Sequence, residues 1–216
     1  MKGGRLVCFS LSDYALIFDA ASTGEVRMAR PKSDEKRKAI LDAALRVCSE
    51  RGIADAPTSA ISRAAGVAEG TIFTYFATKD ELMNALYLEM RQEFSRHLED
   101  FPYQGDARTR LRYIWDKYLD LGTTHPERLK VLAQLRASGK LFKDDEPPAP
   151  ALVELLSATR EAVEGKGLRE APAEYLVLMV RAQAEITIEF ITTNPECREE
   201  CSEMGFRMLW NGLTGE

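Results

Sequence analysis

Long uncharged apolar runs are missing from this 216-residue sequence. The apolar stretch from Leu11 to Ala21 is broken by Asp13 and Asp19, so it is too short and too charged to cross a bilayer, which takes about 20 apolar residues. Nor does it have the layout of a cleaved export signal. Histidine is scarce: His97 and His125 lack evident partners, and there is no GxSxG, HExxH or phosphate-cradling glycine loop. Hydrolase, metalloprotease and nucleotide chemistry therefore have no residues to run on, and no enzyme activity, metal or cofactor is expected. The four cysteines, Cys8, Cys48, Cys197 and Cys201, form neither a secreted disulfide framework nor a CxxC metal pair, which predicts a reducing cytoplasm. No segment alternates long enough for a convincing strand, and no internal repeat is present.

What is present is ordinary globular material, 45% hydrophobic and 29% charged, in a chain long enough for one large helical core or a small domain docked on a larger one. The net charge of −5 is uneven. Residues 1–27 are neutral, residues 28–76 carry eight basic and six acidic side chains, and the remainder holds −7. That asymmetry favours contact with a polyanion at the N-terminal end and disfavours it at the acidic C-terminal end. The run Met28-Ala29-Arg30-Pro31-Lys32 reads as a natural start followed by a basic arm. Residues 1–27 are accordingly expected to be an extension outside the fold.

From Ser33 onward the pattern is helical. Ser33 is placed to cap a helix with Asp34 and Glu35 in its first turn and Ile40, Leu41, Ala44, Leu45 and Val47 on one face, ending near Arg51-Gly52. Pro57 suits the first position of a short second helix, with Ile61, Ala64 and Ala65 as its apolar stripe before Gly66. Thr78-Lys79-Asp80-Glu81 is a capping box opening a long helix on which Leu82, Leu86, Met90, Phe94 and Leu98 recur. Further helices are expected near 106–123, 126–138, 150–165, 172–193 and 195–212, with a surface loop at 144–148. The whole is an all-α chain of about nine helices.

The most informative stretch is Pro57 to Lys79. Two short helices meet at a glycine turn, with Ala65 and Gly66 between them and Ile61, Val67, Ile72 and Phe76 facing inward, which is helix-turn-helix spacing. Glu69, Gly70, Thr71, Phe73 and Thr74 are left on the outer face of the second helix, where a major groove admits side chains to base edges. Thr58 and Ser59 stand at the front of the preceding helix. Tyr75 and Lys79 sit behind, suited to phosphate oxygens. Glu69 has a plainer role as a first-turn dipole partner. Arg30, Lys32, Lys36, Arg37 and Lys38 can reach the DNA backbone or minor groove, or simply be solvated.

The segment Ala65-Gly66-Val67-Ala68-Glu69-Gly70-Thr71-Ile72-Phe73-Thr74-Tyr75-Phe76, followed by Lys79, Glu81 and Leu82, resembles the signature of the TetR family of transcriptional regulators. The likeness covers roughly residues 33–87. It implies a recognition helix from Ala68 to Phe76, with Thr71, Phe73 and Thr74 near bases and Tyr75 and Lys79 on phosphate. Three positions depart from the family pattern: Phe73 stands where many members have tyrosine, Ser59-Ala60 replaces a common arginine-aspartate pair, and Ala56 sits where a capping threonine is frequent.

The resemblance further implies a three-helix DNA-binding domain at 28–77 and a larger effector-binding and dimerisation domain at 78–216. The function implied is that of a cytoplasmic repressor, released from a palindromic operator in double-stranded DNA by a small molecule. Trp115, Tyr118, Gln134, Gln183 and Glu185 are candidate effector contacts, being aromatic or polar groups on amphipathic helices. A twofold dimer needs a seam elsewhere, and Cys197, Cys201, Met204 and Met208 recur at spacings that supply one. The two cysteines share a helical face, where packing is the plain role and redox chemistry the alternative.

Overall fold

A computed structural model describes residues 33–98, 100–139, 150–164 and 170–215. The expected extension at 1–27, the arm residues Arg30 and Lys32, and the loop at 144–148 lie outside these residues. Helix α1, Asp34–Arg51, starts as the sequence predicts: Ser33 Oγ accepts from the Lys36 N–H at 3.3 Å, and Asp34 and Glu35 meet the positive end of the helix dipole. Two short helices follow, α2 at Thr58–Ala64 and α3 at Glu69–Tyr75. The long α4, Lys79–Arg96, opens on the capping box: Thr78 Oγ1 accepts from Glu81 N–H at 3.1 Å. The Glu81 carboxylate reaches back to Ala77 N–H at 2.7 Å, one residue earlier than the standard pairing.

The remaining helices are α5 at Ala107–Thr124, α6 at Pro126–Ala137, α7 at Pro150–Val163, α8 at Ala173–Thr193 and α9 at Arg198–Thr214, the last entered through a 3-10 turn at Pro195–Cys197. Asp106 caps α5 by accepting from Thr109 N–H at 2.8 Å, which holds its carboxyl below the usual range. The described residues contain nine α-helices and no strand. None of these helices is long and apolar enough to cross a membrane.

Two large hydrophobic cores organise the described residues, beside a small cluster of Leu98, Phe101 and Ile114. The first gathers Ile40, Leu41, Ala44, Val47 and Cys48 of α1, Ala56, Ile61 of α2, Ile72 of α3, Phe76, and Leu82, Leu86 and Met90 of α4. It does not stop at residue 77, because Val131 and Leu135 of α6 are buried in it as well. The physical reason is size: α1 and two seven-residue helices bury too little apolar surface by themselves, and each further buried aliphatic side chain adds about 1.5–3 kcal/mol. The second core joins Leu111, Trp115 and Leu119 of α5, Ala158 and Val163 of α7, Leu176, Ala184 and Ile188 of α8, and Phe206, Leu209 and Leu213 of α9. Leu129 of α6 packs against this second core, so α6 touches both. At Gly205 a methyl group would come within 2.7 Å of Thr187 Oγ1 and 2.9 Å of the Trp115 ring, so only glycine lets α9 approach α8 and α5 this closely.

Candidate nucleic-acid interface

The turn between α2 and α3 is made by Gly66, whose φ of +67° lies in the left-handed region that other residues avoid. Gly66 N–H donates to Arg63 O at 3.2 Å and Val67 N–H to Ser62 O at 3.0 Å, which satisfies the end of α2. Arg46 of α1 adds an unforeseen tie, its guanidinium donating to the Ala64 carbonyl at 2.9 Å. A basic side chain at a helix C-terminus serves both the orphan carbonyl and the negative dipole end.

Ile61 and Ile72 are fully buried and Phe76 nearly so, while Val67 is half-buried. These anchors fix the rotation of α3 and leave Glu69, Gly70, Phe73 and Thr74 exposed, with Thr71 half-buried beside them. Phe73 is 48% exposed, a large apolar ring facing solvent on a seven-residue helix. Thr74 Oγ1 bonds to the Gly70 carbonyl at 3.3 Å. Thr58 donates to the Glu69 carboxylate at 2.9 Å, which links the starts of α2 and α3. The departure at Ala56 has a local consequence: that residue is fully buried, and α2 begins after Pro57 with no side-chain cap. Ser59 is half-buried, and its carbonyl accepts from Ser62 Oγ at 3.1 Å.

Tyr75 is half-buried, its hydroxyl 3.5 Å from the Ser33 carbonyl at the start of α1. Lys79 Nζ donates to the carbonyls of Ile53 and Ala54 at 2.8 and 3.4 Å, so it pins the loop before α2. An ammonium has three donors, and these bonds use two of them. Of the basic residues early in α1, Arg37 turns inward over the Phe76 ring and toward Glu89, and Lys38 pairs with Asp42 one turn on.

The candidate effector residues are scattered. Gln134 is spent elsewhere: its amide oxygen accepts from the Ile53 N–H at 3.0 Å, and two other α6 side chains, Val131 and Leu135, sit in the first core. Periodicity placed Gln134 on the correct helix, but only the packing of α6 against α1 reveals which side of that helix it occupies. Trp115 is a core residue, 2% exposed, with its indole N–H on Ser202 Oγ at 3.2 Å. Gln183 is half-buried on α8. Tyr118 and Glu185 do meet, the phenol donating to the carboxylate at 3.2 Å, and burial raises the Tyr118 pKa to about 12. Arg136 and Arg181 join the same carboxylate at 3.1 and 3.6 Å, and sequence reasoning missed both. A cleft of about 490 Å³ lies between α5, α8 and α9, lined by Arg112, Asp116, Asp120, Arg198 and Glu203 among others. None of the five candidates lines it.

The expected seam on α9 divides. Cys201 is buried in the second core and Cys197 packs against it with the two sulfurs 2.6 Å apart, so both thiols face their own chain. Met204 and Met208 are 45% and 60% exposed. Beside them α8 exposes Tyr175, Leu178, Met179, Ile186 and Phe190, an apolar stripe at helical spacing.

A glycine turn between two short helices anchored in the core by Ile61 and Ile72, with the second helix held outward on an all-helical body, defines a helix-turn-helix protein. Residues 40–86 match the family model for bacterial regulatory proteins, tetR family. The likeness to that family is carried by the helix-turn-helix segment. Among curated proteins, the fatty acid metabolism regulator protein of Bacillus subtilis is 34% identical over 97 residues, which is 44% of this chain and 48% of that protein. The HTH-type transcriptional regulator AcrR of Shigella flexneri is 30% identical over 112 residues, 50% of this chain and 51% of that one. The matches thus span about half the length of these relatives.

Among solved structures, a tetR family transcription regulator from Shewanella sp. PV-4 superposes with a TM-score of 0.71 at 25% identity, covering 82% of this chain and 97% of its own. The regulator FadR of Bacillus subtilis, crystallised with stearoyl-CoA, shares the fold with a TM-score of 0.58 at 20% identity, over 81% of this chain and 98% of that one.

Proposed function

We propose that this chain is a dimeric, ligand-responsive DNA-binding transcriptional regulator, a repressor that a small-molecule effector releases from a palindromic operator. The observation that carries the reading is the α3 surface. Glu69, Gly70, Phe73 and Thr74 stand in solvent on a helix whose opposite face, Ile72 with Phe76 just beyond it, is locked into the core. A short helix held outward by a neighbouring short helix is the arrangement that enters a major groove. Thr71, Phe73 and Thr74 are assigned to base edges; Thr58, Ser59, Glu69 and Gly70 complete the surface around them. Tyr75 and Lys79 are assigned to phosphate, Lys79 through its third N–H. In the same reading residues 28–77 serve DNA and residues 78–216 serve effector and dimer, in a cytoplasmic protein with no catalytic role.

One such helix covers few base pairs, so two copies are needed with their recognition helices about 34–36 Å apart, one turn of DNA. The apolar stripe of α8 with Met204 and Met208 of α9 supplies a self-complementary surface for a twofold axis. A ligand shifts such a dimer only if it binds the DNA-competent and released forms unequally. The test is selection of bound fragments from genomic DNA, followed by titration at several salt concentrations. The expected result is a recurrent inverted repeat bound tightly with a steep salt slope; weak binding indifferent to sequence would refute the proposal.

A further inference from the structure

Helices α5, α6 and α8 bring one carboxylate between two guanidinium groups. Glu185 Oε1 lies 3.1 Å from Arg136 Nη1 and 3.6 Å from Arg181 Nε, and it accepts from the Tyr118 hydroxyl at 3.2 Å. All three charged side chains are between one quarter and just over one third exposed, and Tyr118 packs against the second core. Phe94 of α4 stands edge-on to Tyr118 at 5.5 Å, and the Tyr87 phenol, also on α4, acts on Arg181. Among the described residues the cluster therefore holds two positive charges against one negative. Desolvation first, and the like charge of Arg136 second, lower the pKa of Arg181. Such a pair of arginines is short of anion, and two planar forks converging on oxygen are a carboxylate or phosphate reader.

The position couples this cluster to the DNA-binding end. Arg136 is on α6, two residues beyond Gln134, which holds the Ile53 N–H, and six beyond Lys130, which donates to the Ser49 carbonyl at 3.0 Å. Ile53 is also the residue whose carbonyl Lys79 grips. One short helix thus carries the guanidinium at one end of a chain of contacts and the loop before α2 at the other.

We propose that the effector carries an anionic oxygen headgroup on an apolar body, and that Arg136, Arg181 and the Tyr118 hydroxyl seat that headgroup, with Glu185 as the internal carboxylate it displaces or shares. This rests on the regulator reading above. A competing anion loosens the hold of Glu185 on Arg136, which frees α6 to shift and moves the Gln134 tie to the recognition unit.

Titration calorimetry of the full chain with decanoate, decyl phosphate and decanol tests it, alongside release of a labelled operator fragment. Decanoate or decyl phosphate should bind and lower operator affinity at least tenfold, and decanol should do neither; the stronger of the two anions names the headgroup. Arg136→Met with Arg181→Met should remove anion binding while operator binding without ligand persists. Glu185→Gln, which empties the internal site, should tighten anion binding about tenfold. Were this a purely structural ion pair, Glu185→Gln would gain no anion affinity, and that result overturns the inference. Should that variant fail to fold, the wild-type comparison decides alone: equal binding of decanol and the anions, or none by any of the three, overturns it. Loss of operator binding in the ligand-free wild type would instead defeat the regulator reading, and calorimetry reads the anion site separately from it.

Discussion

Replacing Gly66 by alanine isolates the one backbone feature on which the interface depends. Its φ is +67°, and a Cβ built there has nothing within 4 Å, so the substitution changes backbone preference without changing packing. Holding an L-residue in the left-handed region costs about 1–2 kcal/mol. Alanine recovers about 0.5–1 kcal/mol of that, because its unfolded chain has less entropy to lose. The net loss should be about 1 kcal/mol, roughly a fivefold fall in the folding equilibrium. In urea this moves the midpoint down by roughly 0.4 M at a slope of about 2–3 kcal/mol per molar, with the slope unchanged. Asparagine visits the same region and should lose about half as much. Because no contact is altered, operator affinity of the folded protein should change less than twofold. An unchanged midpoint for the alanine variant would mean that residue 66 is not left-handed and that α2 and α3 do not meet as described. A loss above about 3 kcal/mol would mean that the Cβ meets something the geometry leaves out.

Further expectations concern individual side chains. Lys79→Ala should weaken binding to all DNA sequences about equally and reduce the salt slope by about one, with some loss of stability from the released Ile53 and Ala54 carbonyls; altered sequence preference would contradict the phosphate role. Thr74→Ala should change preference at one position of each half-site in a competition assay, and unchanged selectivity would take Thr74 off the base-reading surface. Burial pushes the Cys48 thiol up to about 11 from an ordinary value of 9.0. The native protein therefore keeps that proton after the unfolded chain has lost it, so this contribution to stability is complete below about pH 9 and disappears as the pH rises toward 11; urea midpoints across that window check the sign. Met208→Glu places a charge on the exposed apolar stripe and should convert a dimer to monomers in sedimentation, leaving the helical content unchanged.

Local signals proved the most legible. Ser33 and Thr78 cap the helices they were expected to cap, and Gly66 turns the chain where the dipeptide Ala65-Gly66 said it would. Each of these acts within four residues, so its physics is complete in a short string. The orientation of α3 was readable for the same reason, since Ile72 and Phe76 share a face that excludes Phe73. Long-range partners were not readable. Gln134 looked like a pocket residue and holds Ile53 across 81 positions of sequence, while Arg136 reaches Glu185 across 49 positions with no motif to announce that it joins Arg181 there. Cys201 matched a surface seam by spacing and turned out to face inward, because the side of α9 that is buried depends on where α5 and α8 lie.

The sequence by itself determined an all-helical chain, the ends of its N-terminal helices and a helix-turn-helix with its outer residues exposed, since caps, turns and periodicity act between near neighbours. The tertiary structure alone decided that α6 belongs to both cores, that Lys79 and Gln134 grip the same loop, and that two arginines converge on Glu185. Apart from the one-turn Arg181–Glu185 pair, those relations join residues tens of positions apart, and only burying the apolar faces against one another brings them together.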